Sequence, residues 1–235
     1  MAIDSLPPGL ARNARLDRWV EIRTDGVVEV RTGKVEIGQG IVSALAQIAA
    51  EELDVDYARI RMIPADTGRS PNEGVTAGSR STMDGGGALR QACAEIRDAF
   101  LQAAARRLKA SVDELFVRDG TVHRKASNES ATYWELSAEV DLSRDADGRA
   151  APKRADQLTL VGKPLPRLDL PDKVAGAGVY LHDLELPGML HGRVVRPPSY
   201  HAVLQAFDGT VRHGQCVVSV IMGEQPLPPV GQHLG

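Results

Sequence analysis

The chain has 235 residues, 43% hydrophobic and 25% charged, with a formal net charge of −3. This is an ordinary globular composition, long enough for one large domain or two modest ones. The mildly acidic balance and the lack of any Lys/Arg run exclude a phosphate-tracking surface for nucleic acid, and no run approaches the about 18 apolar residues of a membrane span. Met1 to Pro8 show neither the basic flank nor the apolar core of a secretion signal, so the sequence points to a cytoplasmic protein. Cys93 and Cys216 are far apart, form no CxxC and read as buried thiols.

In chain order, residues 1–16 are aperiodic and read as an N-terminal arm. Trp19 to Arg23 and Val27 to Arg31 alternate apolar and polar residues around Thr24-Asp25-Gly26, which predicts a β-hairpin. A glycine-punctuated stretch through Gly38-Gln39-Gly40 leads into a helix of about 12 residues with Leu45, Ile48, Ala49 and Leu53 on its apolar face. Ile60 to Ile63 reads as a short strand. A long Ser/Thr/Gly-rich loop from Pro64 to about Gly85 follows, and loops of that length in compact domains are usually functional.

The strongest helix runs from Gly87 to Leu108, with Leu89, Cys93, Ile96, Phe100 and Ala104 as its stripe. Asp119-Gly120 between Leu115 to Arg118 and Thr121 to His123 predicts a hairpin with a type I′ turn. Residues 142–157 are polar and aperiodic and read as a linker. A module with short β-like runs begins at Leu158, including Val179-Tyr180-Leu181, Leu190 to Val195, and Val217 to Ile221.

Two segments carry candidate chemistry. Gly38, Gln39 and Gly40 open a helix, where backbone N–H groups and the helix N-terminus favour an anion. By itself this pattern is more often an ordinary turn. The second, Thr76-Ala77-Gly78-Ser79-Arg80-Ser81-Thr82 running into Asp84-Gly85-Gly86-Gly87, exposes backbone donors and hydroxyls suited to a pyrophosphate. By itself it equally reads as a Ser/Thr cap before a helix. A dinucleotide fingerprint is the competing reading of the first segment, but Ser43 stands where its third glycine belongs, and the position about 20 residues on falls near Arg59. His182, His191 and His201 have no ligand set around them and read as ordinary histidines. Glu36, Glu51 and Glu52 read as a helix approach and a solvated helix face.

Taken together, the two segments resemble the molybdopterin-binding large subunits of the xanthine dehydrogenase and aldehyde oxidase family. The resemblance runs through Lys34 to Gly40, Ala46 to Leu53, Arg59-Ile60, Asp66-Thr67, Pro71-Asn72-Glu73, Thr76 to Ser81 and Gly87 to Cys93. The arrangement is closest to isoquinoline oxidoreductase and nicotinate dehydrogenase large subunits, in which a hammerhead module follows. Val161 to Pro164, Pro166 to Asp169, Lys173 to Gly176, Pro187 to Gly192 and Val194 to Pro198 resemble the start of that module.

The resemblance implies an α+β fold. It places a cofactor-binding segment, with two amphipathic helices on a β-sheet, at residues 17–157 and an incomplete, mostly β hammerhead module at 158–235. It implies a molybdenum–molybdopterin cofactor, with the cytosine dinucleotide form as one option. Gln39 and its glycines would face the cofactor near the metal, and Thr76 to Ser81 would hold the pterin phosphate or its nucleotide. It implies a small iron–sulfur partner subunit and, in the complete enzyme, hydroxylation of a small N-heterocycle or aldehyde with water-derived oxygen. The family's general-base glutamate lies further along than any residue matched here, so the chain reads as an N-terminal fragment, inactive alone. The alternatives are a Rossmann-like nucleotide-binding protein and a non-catalytic truncated remnant.

Overall fold

The computed structural model describes residues 6–178 and 180–189, with positions 196, 199–203 and 205 beyond them. Two compact units are distinguished, Met1–Leu184 and Glu185–Gly235, and every element named below lies in the first. The fold is α+β.

Strands β1 (Val20–Ile22) and β2 (Val28–Arg31) pair antiparallel with Val20 opposite Val30, around a turn in which Gly26 has φ +86°. Helix α2 (Ile41–Leu53) then crosses over, so that β3 (Ile60–Ile63) lies parallel to β2 with Val28 opposite Ile60. A parallel pair needs such a crossover, because a tight turn can only reverse the chain. Helix α2 ends where Asp54 takes the left-handed conformation, φ 54°.

Helix α3 (Gly87–Leu108) packs against α2 and has the expected stripe: Leu89, Cys93, Ile96, Phe100 and Ala104 are all buried. Burial pushes the Cys93 thiol pKa up, which leaves it a core residue. Strands β4 (Leu115–Arg118) and β5 (Thr121–Arg124) form the second hairpin, with Asp119 at φ 48° and Gly120 at φ 67°. Two consecutive positive φ values are the signature of the type I′ turn. The sheet expected as one is two among the described residues, ordered β1-β2-β3 and β4-β5-β6, where β6 is Ser130–Thr132.

Strand β6 (Ser130–Thr132) and helix α4 (Tyr133–Leu136) close the second sheet and are too short for periodicity to reveal. Thr132 caps α4 reciprocally with Glu135, and Tyr133 and Leu136 are fully buried.

Three expectations are corrected. The stretch read as an arm contains helix α1 (Pro8–Arg12), with Leu10 and Leu16 fully buried, and Asn13 both donates to the Asn72 carbonyl and accepts from its N–H. Glu51 and Glu52 are not on a solvated face; they are only 2% and 1% exposed.

The reason for their burial is the third correction. The polar stretch 142–157 does not hang free but lies across α2 and α3, where buried carboxylates receive it. Glu95 accepts from the N–H groups of Asp147 (3.0 Å) and Gly148 (2.8 Å). Glu52 accepts from the Lys153 N–H (3.1 Å) and from the Arg90 guanidinium (2.8 Å). Glu51 accepts from the N–H groups of Thr159, Leu160 and Val161 at 2.9, 2.5 and 2.8 Å, while Lys153 Nζ stands 3.3 Å away. Polar groups brought together this way can be buried, because each carboxylate oxygen is matched by donors.

Among described residues 158–189 the regular elements are helix α5 (Leu170–Val174) and a single 3₁₀ turn at Leu181–Asp183, with another at Ala155–Gln157 just before them. Tyr180 and Leu181 belong to no strand, while Val179 and the β-like runs at 190–195 and 217–221 lie outside the described residues.

Burial pushes the Glu51 carboxyl pKa up, but the Val161 and Leu160 N–H groups and Lys153 outweigh it, leaving it below the ordinary value. A depressed carboxylate contributes stability above its unfolded pKa and loses it as pH falls through the folded one. The Leu160 and Val161 amide resonances should therefore move together on acidification, with a midpoint below about 4.3. A midpoint at or above that value would contradict the assignment.

Candidate functional site

The site is built where α2 and α3 begin. Gly40, at φ +84°, is the residue before α2, and Gly38 has φ +102°. These angles favour glycine, because a Cβ crowds the backbone in the left-handed region. They turn the chain so that Glu36 reaches over the helix N-terminus. Its Oε1 accepts from the N–H groups of Gly38 (2.8 Å) and Gly40 (2.9 Å), and its Oε2 from that of Val42 (3.2 Å). The anion expected at this helix end is thus a carboxylate of the chain itself. Gln39 also folds back on the loop: its Oε1 accepts from the Ile37 N–H (2.6 Å), and its Nε2 donates to the Val35 carbonyl (3.0 Å).

The second segment is braced from beneath. Glu73, 7% exposed, accepts from the Thr32 hydroxyl (2.8 Å) and the Gly33 N–H (2.7 Å) through Oε2. Lys34 Nζ donates to the carbonyls of Glu73 (2.8 Å) and Val75 (3.1 Å). The Val35 N–H then donates to the Thr76 hydroxyl (2.9 Å), joining the two candidate loops. Gly78 and Ser79 both have positive φ, 65° and 56°, and turn the chain into the π-helical turn Ser81–Gly86 that precedes α3.

The two loops together line a concavity of about 380 Å³. Its walls are Ile37, Gln39, Gly40, Ile41 and Ala44 on one side and Thr76, Ala77, Ser79, Ser81 and Thr82 on the other. Of the candidate residues, Gln39, Gly40, Thr76, Ala77, Ser79 and Ser81 meet there. Gly38, Gly78 and Arg80 do not line it, and Arg80 pairs with Asp84 at 2.7 Å.

Glu36, Lys34 and Glu73 shape the site without having been read as site residues. Lys34 and Glu36 stand in the same motif as Gly38, so their position was available, but their partners are set by folding. The dinucleotide alternative gains no support, because Glu36 fills the helix end where a pyrophosphate would bind.

Residues 5–163 match the family described as the molybdopterin cofactor-binding domain. This chain belongs to that family. It is 36% identical over 221 residues to one subunit of the nicotinate dehydrogenase of Pseudomonas putida, covering 90% of this chain and 18% of that protein. It is 33% identical over 256 residues to the beta subunit of isoquinoline 1-oxidoreductase from Brevundimonas diminuta, covering 92% and 33%. Among solved structures, CO dehydrogenase from Oligotropha carboxidovorans aligns with 30% identity and a TM-score of 0.46, over 50% of this chain and 15% of that one. The chain thus spans about a fifth to a third of the curated relatives' length.

The concavity fits a polar group of such a cofactor. Its volume falls in the ~300–1,000 Å³ range of small-molecule sites. The Ser79, Ser81 and Thr82 hydroxyls on its wall have no partner among the described residues, so they can donate to phosphate or pterin oxygens. The Ile37, Ile41 and Ala44 side offers an apolar wall.

Gly40→Ala should destabilise the chain by about 1–2 kcal/mol, because alanine is strained in the left-handed region. A guanidinium titration would show it as a lower midpoint at unchanged slope, and an unchanged midpoint would mean the loop tolerates another conformation.

Proposed function

We propose that this chain supplies part of the cofactor wall of a molybdenum hydroxylase. The observation that carries the reading is the meeting of two separate family loops around one concavity lined by unpartnered hydroxyls. Ser79, Ser81 and Thr82 bind the phosphate or nucleotide end of a molybdenum–molybdopterin cofactor, for which the cytosine dinucleotide form is the specific proposal. Gln39 and Gly40 face the pterin from the opposite wall. Held by Glu36 and its own loop, they keep that wall in place before the cofactor arrives, and preorganisation of this kind lowers the ordering cost of binding.

When bound, the cofactor supplies the oxidation that places water-derived oxygen on an electron-poor carbon. The relatives named above make an N-heterocycle the favoured substrate class, with aldehydes as the second choice. A small iron–sulfur subunit is the proposed electron-accepting partner. No helix among the described residues is long and apolar enough to cross a membrane, and a cytoplasmic location is proposed with the rest.

Neither carboxylate beside the cleft lines it. Glu36 holds three backbone N–H groups, and Glu73 holds Thr32 and Gly33 through Oε2 while its Oε1 is buried without a hydrogen-bond partner. We therefore assign the general base to a part of the complete enzyme other than these residues. The 235-residue chain alone should then give no hydroxylation of nicotinate, isoquinoline or simple aldehydes in molybdate-supplied cells with an electron acceptor. Turnover above a metal-free blank would show that a base is present after all.

Ser79→Ala with Ser81→Ala should weaken cofactor retention. Each lost hydroxyl contact is worth about 0.5–1.5 kcal/mol, and more where it meets a charged phosphate. Molybdenum and pterin measured together in the purified protein give the readout, and contents equal to wild type would remove these hydroxyls from the site.

A further inference from the structure

The sequence motif Pro166-Arg167-Leu168-Asp169 has no part in the proposed cofactor contacts, yet it lies directly on the outside of the glycine loop. Tyr57 Oη donates to the Pro166 carbonyl (3.3 Å), and the Leu168 N–H donates to the Ser43 hydroxyl (2.9 Å) in the first turn of α2. Gln47, one turn further on, donates to the carbonyls of Leu160 (2.7 Å) and Lys163 (3.0 Å). These contacts fix the segment along the helix that the glycine loop opens.

Arg167 is held in turn. Its Nε donates to Asp169 Oδ1 (3.0 Å) and its Nη2 to Oδ2 (2.7 Å), a two-pronged pair in which the planar guanidinium has one orientation. Lys173 adds a second cation to the same carboxylate. The Arg167 guanidinium, and then Lys173, hold the Asp169 carboxyl well below the usual range.

From that fixed position the guanidinium faces three points of the loop. Nη1 donates to the Gly38 carbonyl (3.3 Å), and Nη2 stands 3.7 Å from Glu36 Oε1. A Cβ added at Gly40 would lie 3.4 Å from its Cζ, so the group packs flat against that glycine. Glu36 is the carboxylate that gathers the N–H groups of Gly38, Gly40 and Val42. The cation therefore stands beside the same carboxylate oxygen that accepts from Gly38 and Gly40.

We propose that Arg167 is a positioning residue of the cleft, setting the Gly38–Gly40 wall from behind through Glu36. It does not line the concavity itself. Its role rests on the cofactor reading only for what the wall is used for. The packing role stands on the contacts just given. A lysine keeps the charge but loses both the fork to Asp169 and the flat face on Gly40, so a charge-only role and a positioning role differ in what lysine restores.

The test is amide hydrogen exchange on the full 235-residue chain, wild type against Arg167→Ala, Arg167→Lys, Glu36→Gln and the double variant Arg167→Ala/Glu36→Gln. Arg167→Ala should speed exchange at Gly38, Gly40 and Val42 by roughly five- to tenfold while leaving the α3 core amides, such as Ile96, unchanged. Arg167→Lys should restore less than half of that protection. The double variant should exchange no faster than Glu36→Gln alone, because both changes remove one coupled contact.

Unchanged loop amides in Arg167→Ala would overturn the proposal, as would strictly additive effects in the double variant or full rescue by lysine. Uniform acceleration that includes Ile96 would do the same, since it would mean general destabilisation. The pterin content of wild type separately reads the cofactor proposal. Its absence there would sink that reading and leave the exchange result to decide the clamp.

Discussion

Helix α2 begins with N–H groups that no helix residue can satisfy, and the chain's own Glu36 accepts from one of them, Val42, and from Gly38 and Gly40 just before the helix. A carboxylate placed so is favoured by the helix dipole, typically by roughly 0.3–1 kcal/mol and more when partly buried. Glu36 is only 15% exposed, which puts it toward the stronger end. The geometry that lets it reach depends on two positive-φ glycines, and those glycines also give the wall of the concavity its shape. Capping the helix and forming the cleft are therefore one structural event. The proposed anion would meet hydroxyls at the other loop rather than a bare helix end.

Buried acids play the same part at larger scale. Glu51 and Glu52 leave α2, and Glu95 leaves α3, toward a polar return segment rather than toward water. Each is surrounded by backbone N–H groups and by Lys153, Arg90, Arg97 or Arg144. Removing one partner of such a set leaves an uncompensated buried charge, which is costly, whereas the intact set adds little beyond what a matched apolar contact would. Its value is in direction: it brings residues 144–163 across two helices and delivers the following segment to the outside of the glycine loop. The segment that carries Arg167 follows, held there by Tyr57, Ser43 and Gln47.

Neutral donors dominate the concavity. The nearby cations are engaged elsewhere, Arg80 with Asp84, Lys34 with backbone carbonyls, and Arg167 with Asp169. A ligand would thus be recognised mainly by shape and hydrogen-bond geometry, as expected where backbone and hydroxyl groups hold a phosphate.

Periodicity and turn chemistry are enough to read the two long helices, five of the strands and the I′ turn at Asp119-Gly120, because each is decided by neighbours a few residues apart. The same local logic made Gly38 to Gly40 and Thr76 to Ser81 visible as candidate loops, and the family resemblance joined them. Nothing local showed that Glu51 and Glu52 are buried: a pair of glutamates on a helix has the same sequence signature whether water or a returning chain covers it. Leu10 and Leu16 were hidden likewise within a stretch without a period. Only the tertiary structure decided these points, since the donors that make a buried carboxylate tolerable come from residues far along the chain, as Lys153 and Val161 do for Glu51. The occupation of the α2 N-terminus by Glu36 was decided there too, because a loop's side chain finds a helix end only once positive φ at Gly38 and Gly40 has turned the backbone toward it.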